Sequence, residues 1–299
     1  MRARHIGMVV GALGLGLALV LLRGEPRWNS DQGVFLSIAA RLLDGDRLYS
    51  DVIDNKEPLF FYTYAGALWV GGWRGPAALD GVWFALAAVS SALLLRELKA
   101  PTSAVVAGFF IYPLVLTASW YEPGLSMLGG LAIAPLAAWL WLRGQFAASG
   151  AALGIALSFK LSLAFVATAP MVAFVLIGAP TGSRAWHVGK AALGLLATLG
   201  AVALVLAVRG ELGKYVEIIA FNIQYPDGAQ RAMGGSPSLA SHFDIVRAFF
   251  VASGKWQAPA AMLVVGVFVV AVLFGLARSG RAFLPLAGAT TATLIAALG

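Results

Sequence analysis

Asp31, Glu122 and Lys160 are the ionisable residues whose positions ask for an explanation. Asp31 comes just before an apolar-periodic stretch, where a helix N-cap belongs. Glu122 lies in a connection of very few residues between two apolar runs. A charge there is expensive unless it marks the water boundary or faces a cavity or a partner. Lys160 sits near the middle of the apolar stretch 146–178, costly for an ammonium group unless it snorkels from a helix end or has a partner. Two acids from different loops, Asp31 and Glu122, have the ligand chemistry for a divalent ion such as Mg or Mn, although nothing in their spacing demands one. Asp51, Asp54 and Lys56 share one polar loop and read as solvated or mutually paired. A later polar stretch carries Asn222, Gln224, Tyr225, Asp227 and Arg231, then Gly234-Gly235-Ser236-Pro237. Its aromatic and amide groups suit contact with a sugar or glycan; the alternative is a long mobile loop. There is no cysteine, so disulfides and thiol metal sites are excluded, and His5, His187 and His242 are widely spaced and form no metal-ligand pair.

The elements that position these residues follow from composition. The chain has 299 residues, 60% hydrophobic and 12% charged, against about 25% charged in soluble domains. Its apolar residues come in runs of the length that a bilayer core requires. We expect an all-α, polytopic membrane protein with the lipid bilayer as its surroundings. The net charge of +7 is scattered among apolar segments, which predicts topology rather than nucleic acid as its cause. The first run, behind Arg2 and Arg4, lacks a small-x-small cleavage site at Leu21-Leu22-Arg23-Gly24-Glu25 and reads as an uncleaved first helix.

Apolar segments fall at about 6–22, 77–95, 104–120, 123–142, 146–178, 186–208, 256–277 and 282–299. As one helix, 146–178 would reach roughly 50 Å, too long for a core of about 30 Å. Two shorter passes turning near Lys160 solve both the length and the buried charge, and bring the total to about nine spans. With the N-terminus in the cytoplasm, the inner loops carry Arg2, Arg4, Arg96, Lys99, Arg143, Arg184, Lys190, Arg278 and Arg281, with Glu97 as their only acid. Residues 1–299 then form a single transmembrane domain. Its two large outer loops are 23–76 and 209–255, with the site facing outward. The last ten residues, Thr290 to Gly299, fall inside an apolar run, which predicts a truncated product.

The first outer loop is the most informative stretch. Val34, Phe35, Ile38, Leu42 and Leu43 recur at helical spacing over 32–43, with Ser37 and Arg41 facing elsewhere, a pattern for an amphipathic helix in the membrane interface. Asp44-Gly45-Asp46 supplies a turn. Pro58 can open a second helix over 58–70, aromatic with Phe60, Phe61, Tyr62, Tyr64 and Trp69, as interfacial segments often are.

The run Asp31-Gln32-Gly33-Val34-Phe35, then Leu42-Leu43-Asp44-Gly45-Asp46-Arg47-Leu48-Tyr49-Ser50-Asp51-Val52-Ile53-Asp54-Asn55-Lys56-Glu57-Pro58-Leu59-Phe60-Phe61-Tyr62, resembles the GT-C membrane glycosyltransferases. The branch it resembles is that of the protein O-mannosyltransferases and the lipid A aminoarabinose transferases. The likeness covers about 35 residues closely, and the alternation of spans extends it weakly over the chain. Lys56-Glu57-Pro58 replaces the commoner Lys-Pro-Pro. The family's further spans and soluble outer domain have no counterpart here.

The resemblance implies an inverting transferase in the bacterial inner membrane. It would move a sugar from a polyprenyl phosphate to a hydroxyl of a lipid, glycan or protein acceptor. By the same likeness Asp31 is the catalytic carboxylate and Glu122 the second acid. Lys160 is the donor-phosphate partner, a role for which Arg41, Lys56 and Arg231 also compete. Asp51, Asp54 and Lys56 would line the acceptor entrance, with Tyr225 and Arg231 contributing acceptor contacts. The rival expectations are a transporter or flippase of a lipid-linked substrate, and an inactive glycosyltransferase fragment. A transporter favours polar residues in mid-span and paired halves. Here the polar residues concentrate in one loop and no repeat is visible.

Overall fold

A computed structural model describes residues 2–23, 31–54, 56–119, 127–159 and 184–220. The described residues are helical, with no strand among them beyond a single bridge between Leu48 and Val52. The chain runs α1 (Arg2–Arg23), α2 (Asp31–Leu43), α3 (Pro58–Gly71), a 3-10 turn (Gly72–Arg74), α4 (Gly75–Glu97), α5 (Thr102–Ser119), α6 (Met127–Leu142), α7 (Phe146–Phe159) and α8 (Arg184–Val208). A further helical segment covers 212–220. The expected segments 256–277 and 282–299, most of the loop 209–255, and the second arm of the hairpin lie outside the described residues.

Among the described residues two stretches are long and apolar enough to cross a membrane: Pro58–Glu97, inside which α3 passes to α4, and Ala185–Val208. The second leaves most of its surface uncovered, with Leu193, Leu196, Leu204 and Val208 all exposed. The α1 helix likewise exposes Ile6, Val10, Leu13, Leu17 and Leu21.

Small residues set the helix contacts and reveal the helix directions. Ala12 of α1 packs with Ala85 and Ala88 of α4, while Gly16 lies so close to Gly81 that a Cβ would fall 2.2 Å from the Gly81 carbonyl oxygen. Moving forward along α1 thus means moving backward along α4, and the two are antiparallel. Ser91 Oγ donates to Gly108 O at 3.0 Å, joining α4 to α5. Ser149 Oγ donates to Ala137 O at 2.8 Å, and Gly129 meets the Phe159 ring, so α6 and α7 are also antiparallel.

The helices α7 and α8 run parallel. Phe146 stacks on His187 at 4.1 Å, Gly150 lies against Ala191, and Gly154 lies against Leu195 and Thr198. Both chains advance together along the contact. The end of α7 and the start of α8 are therefore at opposite ends of the pair.

The first-loop elements form where the sequence places them. Pro58 stands in the first turn of α3, behind an extended Glu57. Gly45 takes φ +102, and the Asp46 N–H returns to the Arg41 carbonyl at 3.1 Å, closing α2. Helix α2 begins at Asp31 itself, one residue earlier than an N-cap would place it. Its buried stripe is Phe35, Leu36, Ile38, Ala39 and Leu42, whereas Val34 and Leu43 are exposed. The inward face is rotated by about half a step from the expected one, because Ala39 and Leu36 continue the i, i+3, i+4 row more closely. Ser37 and Arg41 face outward as expected. Helix α3 is deeper than an interfacial helix needs to be. Phe60, Phe61 and Tyr64 belong to the main core with Phe35, Tyr49 and Phe159, and only its far end, at Trp69, is largely exposed.

Candidate functional site

The loop between α2 and α3 is a folded object, held from within and from outside. Inside it, Asp51 accepts from the Arg47 backbone N–H at 2.9 Å and from the Arg47 guanidinium at 3.1 Å. This pairing holds the Asp51 carboxyl below the usual carboxylate range and raises Arg47. Asp54 accepts the Lys56 N–H at 2.9 Å and lies 3.8 Å from its ammonium group. Arg41 is committed to Asp46 at 2.5 Å and to the Asp51 carbonyl at 3.3 Å.

Tyr49 is the pivot of the loop. It adopts φ +67, a left-handed conformation uncommon for a bulky side chain, stabilised by its N–H to Val52 O at 2.7 Å. Its ring is buried and stacks on Tyr215 at 5.2 Å, and its hydroxyl donates to Lys56 O at 2.7 Å. Burial first, then the neighbouring Tyr215 and Glu57, push the Tyr49 hydroxyl well above its ordinary range. Tyr215 is pushed up to about 12, again mainly by burial and next by Glu57.

From outside, the residues just after α8 clamp the same loop. Glu211 is fully buried, and both of its carboxylate oxygens have polar partners. It accepts from the Leu48 N–H at 3.0 Å, from the Arg209 guanidinium at 2.8 Å, and from the Tyr62 hydroxyl in a short hydrogen bond. Arg209 also donates to Asp46 O at 3.0 Å and stands over the Tyr62 ring at 5.4 Å. A buried carboxylate is tolerated when it is paired and fully hydrogen-bonded, and this one is. The segment after α8 and the α2–α3 loop are thus at the same end of the molecule. At the other end Arg143 pairs with Glu97 at 3.6 Å, joining the turns 98–101 and 143–145.

Of the expected site residues, the structure brings together Asp54 and Lys56, and sets them beside α2: the Lys56 ammonium lies 5.6 Å from the centre of the Phe35 ring. Asp51 is turned to Arg47 in the same loop. Asp31 is the first residue of α2, but its side chain, like Glu122, Lys160, Tyr225 and Arg231, lies outside the described residues. For Lys160 the preceding residue is described, and for Glu122 the helix that follows. The α7 residue before Lys160, Phe159, packs in the same core as Phe35 and Tyr49 and against Gly129 in the first turn of α6, just after the connection that carries Glu122. Among the described residues no three acids or histidines gather as a metal cage. The two acids offered for a divalent ion are outside that set.

Sequence reading placed Tyr49, Glu57 and Tyr62 in the motif without a role and missed Arg209, Glu211 and Tyr215 as members of this region. The one retrospective signal is the pair of opposite charges, Arg209 and Glu211, directly after an apolar run. Comparison with family models, with curated proteins and with solved structures finds no match to this chain.

Proposed function

We propose that the chain is an inverting glycosyltransferase of the membrane, moving a sugar from a polyprenyl phosphate to an acceptor hydroxyl on the side that carries the α2–α3 loop. The observation that carries this reading is the loop itself. The residues of the GT-C-like motif, Tyr49, Asp51, Asp54, Lys56 and Pro58, form one ordered loop fixed to the core, with Tyr49 and Pro58 buried in it and Asp51 exposed. It lies at the end of the molecule where the flanks of Glu122 and Lys160 also meet.

The directions of the described helices support the alternation of spans that the about nine expected crossings need, and the lysine and arginine bias favours the N-terminus inside. Parallel α7 and α8 require the intervening residues to return the chain to the starting level, as a hairpin near Lys160 would. The bonds from Glu211 to Leu48 and Tyr62 support placing both large loops on one side. The broad apolar surfaces of α1 and α8 suit lipid rather than water.

In this mechanism the Asp31 carboxylate takes the proton of the acceptor hydroxyl as that oxygen attacks the anomeric carbon. The bond from that carbon to the phosphate oxygen breaks on the opposite face, and its electron pair stays on the phosphate. Configuration inverts. Lys160 stabilises the growing negative charge in a site with little water, and Glu122 holds the acceptor. A divalent ion at Asp31 and Glu122 would add electrostatic stabilisation, and no step depends on it.

The test is sugar transfer by membranes containing the chain, supplied with a panel of polyprenyl-phosphate hexoses and pentoses. Transfer by wild type that is lost in Asp31→Asn is the expected result. No transfer from any donor by folded wild type would overturn the enzyme reading in favour of a carrier or an inactive chain.

A further inference from the structure

Gln32 is the second residue of α2 and is 3% exposed. Its side-chain carbonyl oxygen is buried and, among the described residues, meets no hydrogen-bond donor. An amide carbonyl left this way costs about 1–3 kcal/mol relative to a satisfied one, and native structures seldom retain one without a use. The other polar residues of α2 behave ordinarily: Ser37 is exposed, and Arg41 is bonded to Asp46 and Asp51. The orphan is thus confined to the first turn. That turn begins with Asp31, and one turn further on Phe35 stands beside the Lys56 ammonium group.

The chemistry of the atom narrows what meets it. A carbonyl oxygen accepts but cannot donate, so a phosphate or an ionised carboxylate gives it nothing. Its partner must be a donor, an O–H or an N–H, and a sugar presents several hydroxyls.

We propose that Gln32 is a sugar-recognition residue whose side-chain carbonyl accepts a hydrogen bond from a hydroxyl of the sugar or glycan handled beside Asp31. This rests on the glycosyltransferase reading. The stability lost to an unpaired carbonyl in the empty protein becomes specificity in the loaded one, because a site built to bond a hydroxyl discriminates against ligands that lack it.

Gln32→Met removes the acceptor at nearly constant shape, and Gln32→Glu keeps acceptor oxygens. The purified full chain in detergent is tested for binding of polyprenyl-phosphate sugars and of polyprenyl phosphate alone, and for the acceptor KM in transfer. We expect Gln32→Met to unfold at the same or a higher temperature than wild type, and Gln32→Glu to keep most of the wild-type binding. With Gln32→Met, about tenfold weaker binding of the sugar-bearing donor, and unchanged binding of polyprenyl phosphate, places the hydroxyl on the donor sugar. Unchanged donor binding with an acceptor KM raised by a similar factor places it on the acceptor. Wild-type donor binding and acceptor KM in Gln32→Met overturn the proposal and leave the enzyme reading standing. A wild-type chain that binds no sugar donor and transfers nothing overturns both.

Discussion

Glu211 and Tyr62 are hydrogen-bonded across 149 residues of sequence, joining the chain just after α8 to the first turns of α3. The same carboxylate holds Leu48 and Arg209. Its removal by Glu211→Ala strands a backbone N–H, a hydroxyl and a guanidinium. Breaking a buried pair on one side costs about 3–5 kcal/mol. Arg209 remains about a third exposed, so we expect the lower end, about 3 kcal/mol. Tyr62→Phe should cost about 1.5 kcal/mol or somewhat more, as for a hydrogen bond to a charged group. Denaturant unfolding of both variants and of the double variant reads the coupling. Additive losses would show that the two residues do not stabilise each other.

Asp31→Asn tests the proposed base. A side chain that takes a proton in the transition state contributes about 10²–10⁴-fold. Transfer should fall by a factor in that range while the unfolding midpoint stays near wild type. Retention of full activity would remove Asp31 from the mechanism.

Sidedness can be read with single cysteines, since the chain has none of its own. Cysteines replacing Ser50 and Lys214 should react with an impermeant maleimide added from the same side of sealed vesicles. One replacing Arg143 should react only from the other. Labelling of Ser50→Cys and Lys214→Cys from opposite sides would contradict the hairpin near Lys160.

Helix contacts through glycine make a graded series. A Cβ on Gly150 would fall 1.8 Å from the Ala191 carbonyl oxygen, against a backbone that cannot move alone. Gly150→Ala should destabilise by about 1–3 kcal/mol by forcing α7 from α8. A Cβ on Gly14 meets nothing within 4 Å, so Gly14→Ala should instead stabilise, by about 0.5–1 kcal/mol. Equal effects at the two positions would refute the close α7–α8 contact.

The tyrosine stack gives an alkaline signature. Tyr215 keeps its proton up to about 12 in the folded chain, against an ordinary value of 10.0. A raised folded value means stability that is whole below about pH 10 and is lost as pH rises toward about 12. Tyr49, stacked on it and also raised, acts in the same direction. Stability measured from pH 9 to 12, with tyrosinate absorbance followed alongside, should fall less in Tyr215→Phe than in wild type. Identical pH dependence in the two would exclude this residue as a cause.

Local chemistry explains which parts of this arrangement were legible in the sequence. Pro58 and Gly45 act through their own backbone preferences, so the start of α3 and the end of α2 could be read within a residue or two. Periodicity located α2 but could not resolve which of Leu36 or Leu43 turns inward, since the two flank one stripe and the partner surface decides. Asp51 and Asp54 pair with neighbours four and two residues away, and such pairing is readable too. Glu211 was not readable. Its partners Leu48 and Tyr62 lie far back in the chain, and no spacing rule relates residues that only tertiary packing brings together. The backbone of Tyr49 was unreadable for a different reason: its left-handed conformation is common for glycine and rare for tyrosine, so nothing in the sequence announced it.

The clamp from Glu211 also orders events during synthesis. Leu48, Tyr62 and the turn at Asp46 emerge from the ribosome well before Arg209 and Glu211. Until α8 has followed them, that face of the loop has neither its carboxylate nor its guanidinium. The region proposed to handle sugar is therefore finished late, after most of the described helices have been made, and a nascent chain halted before α8 carries the motif without the lock that shapes it.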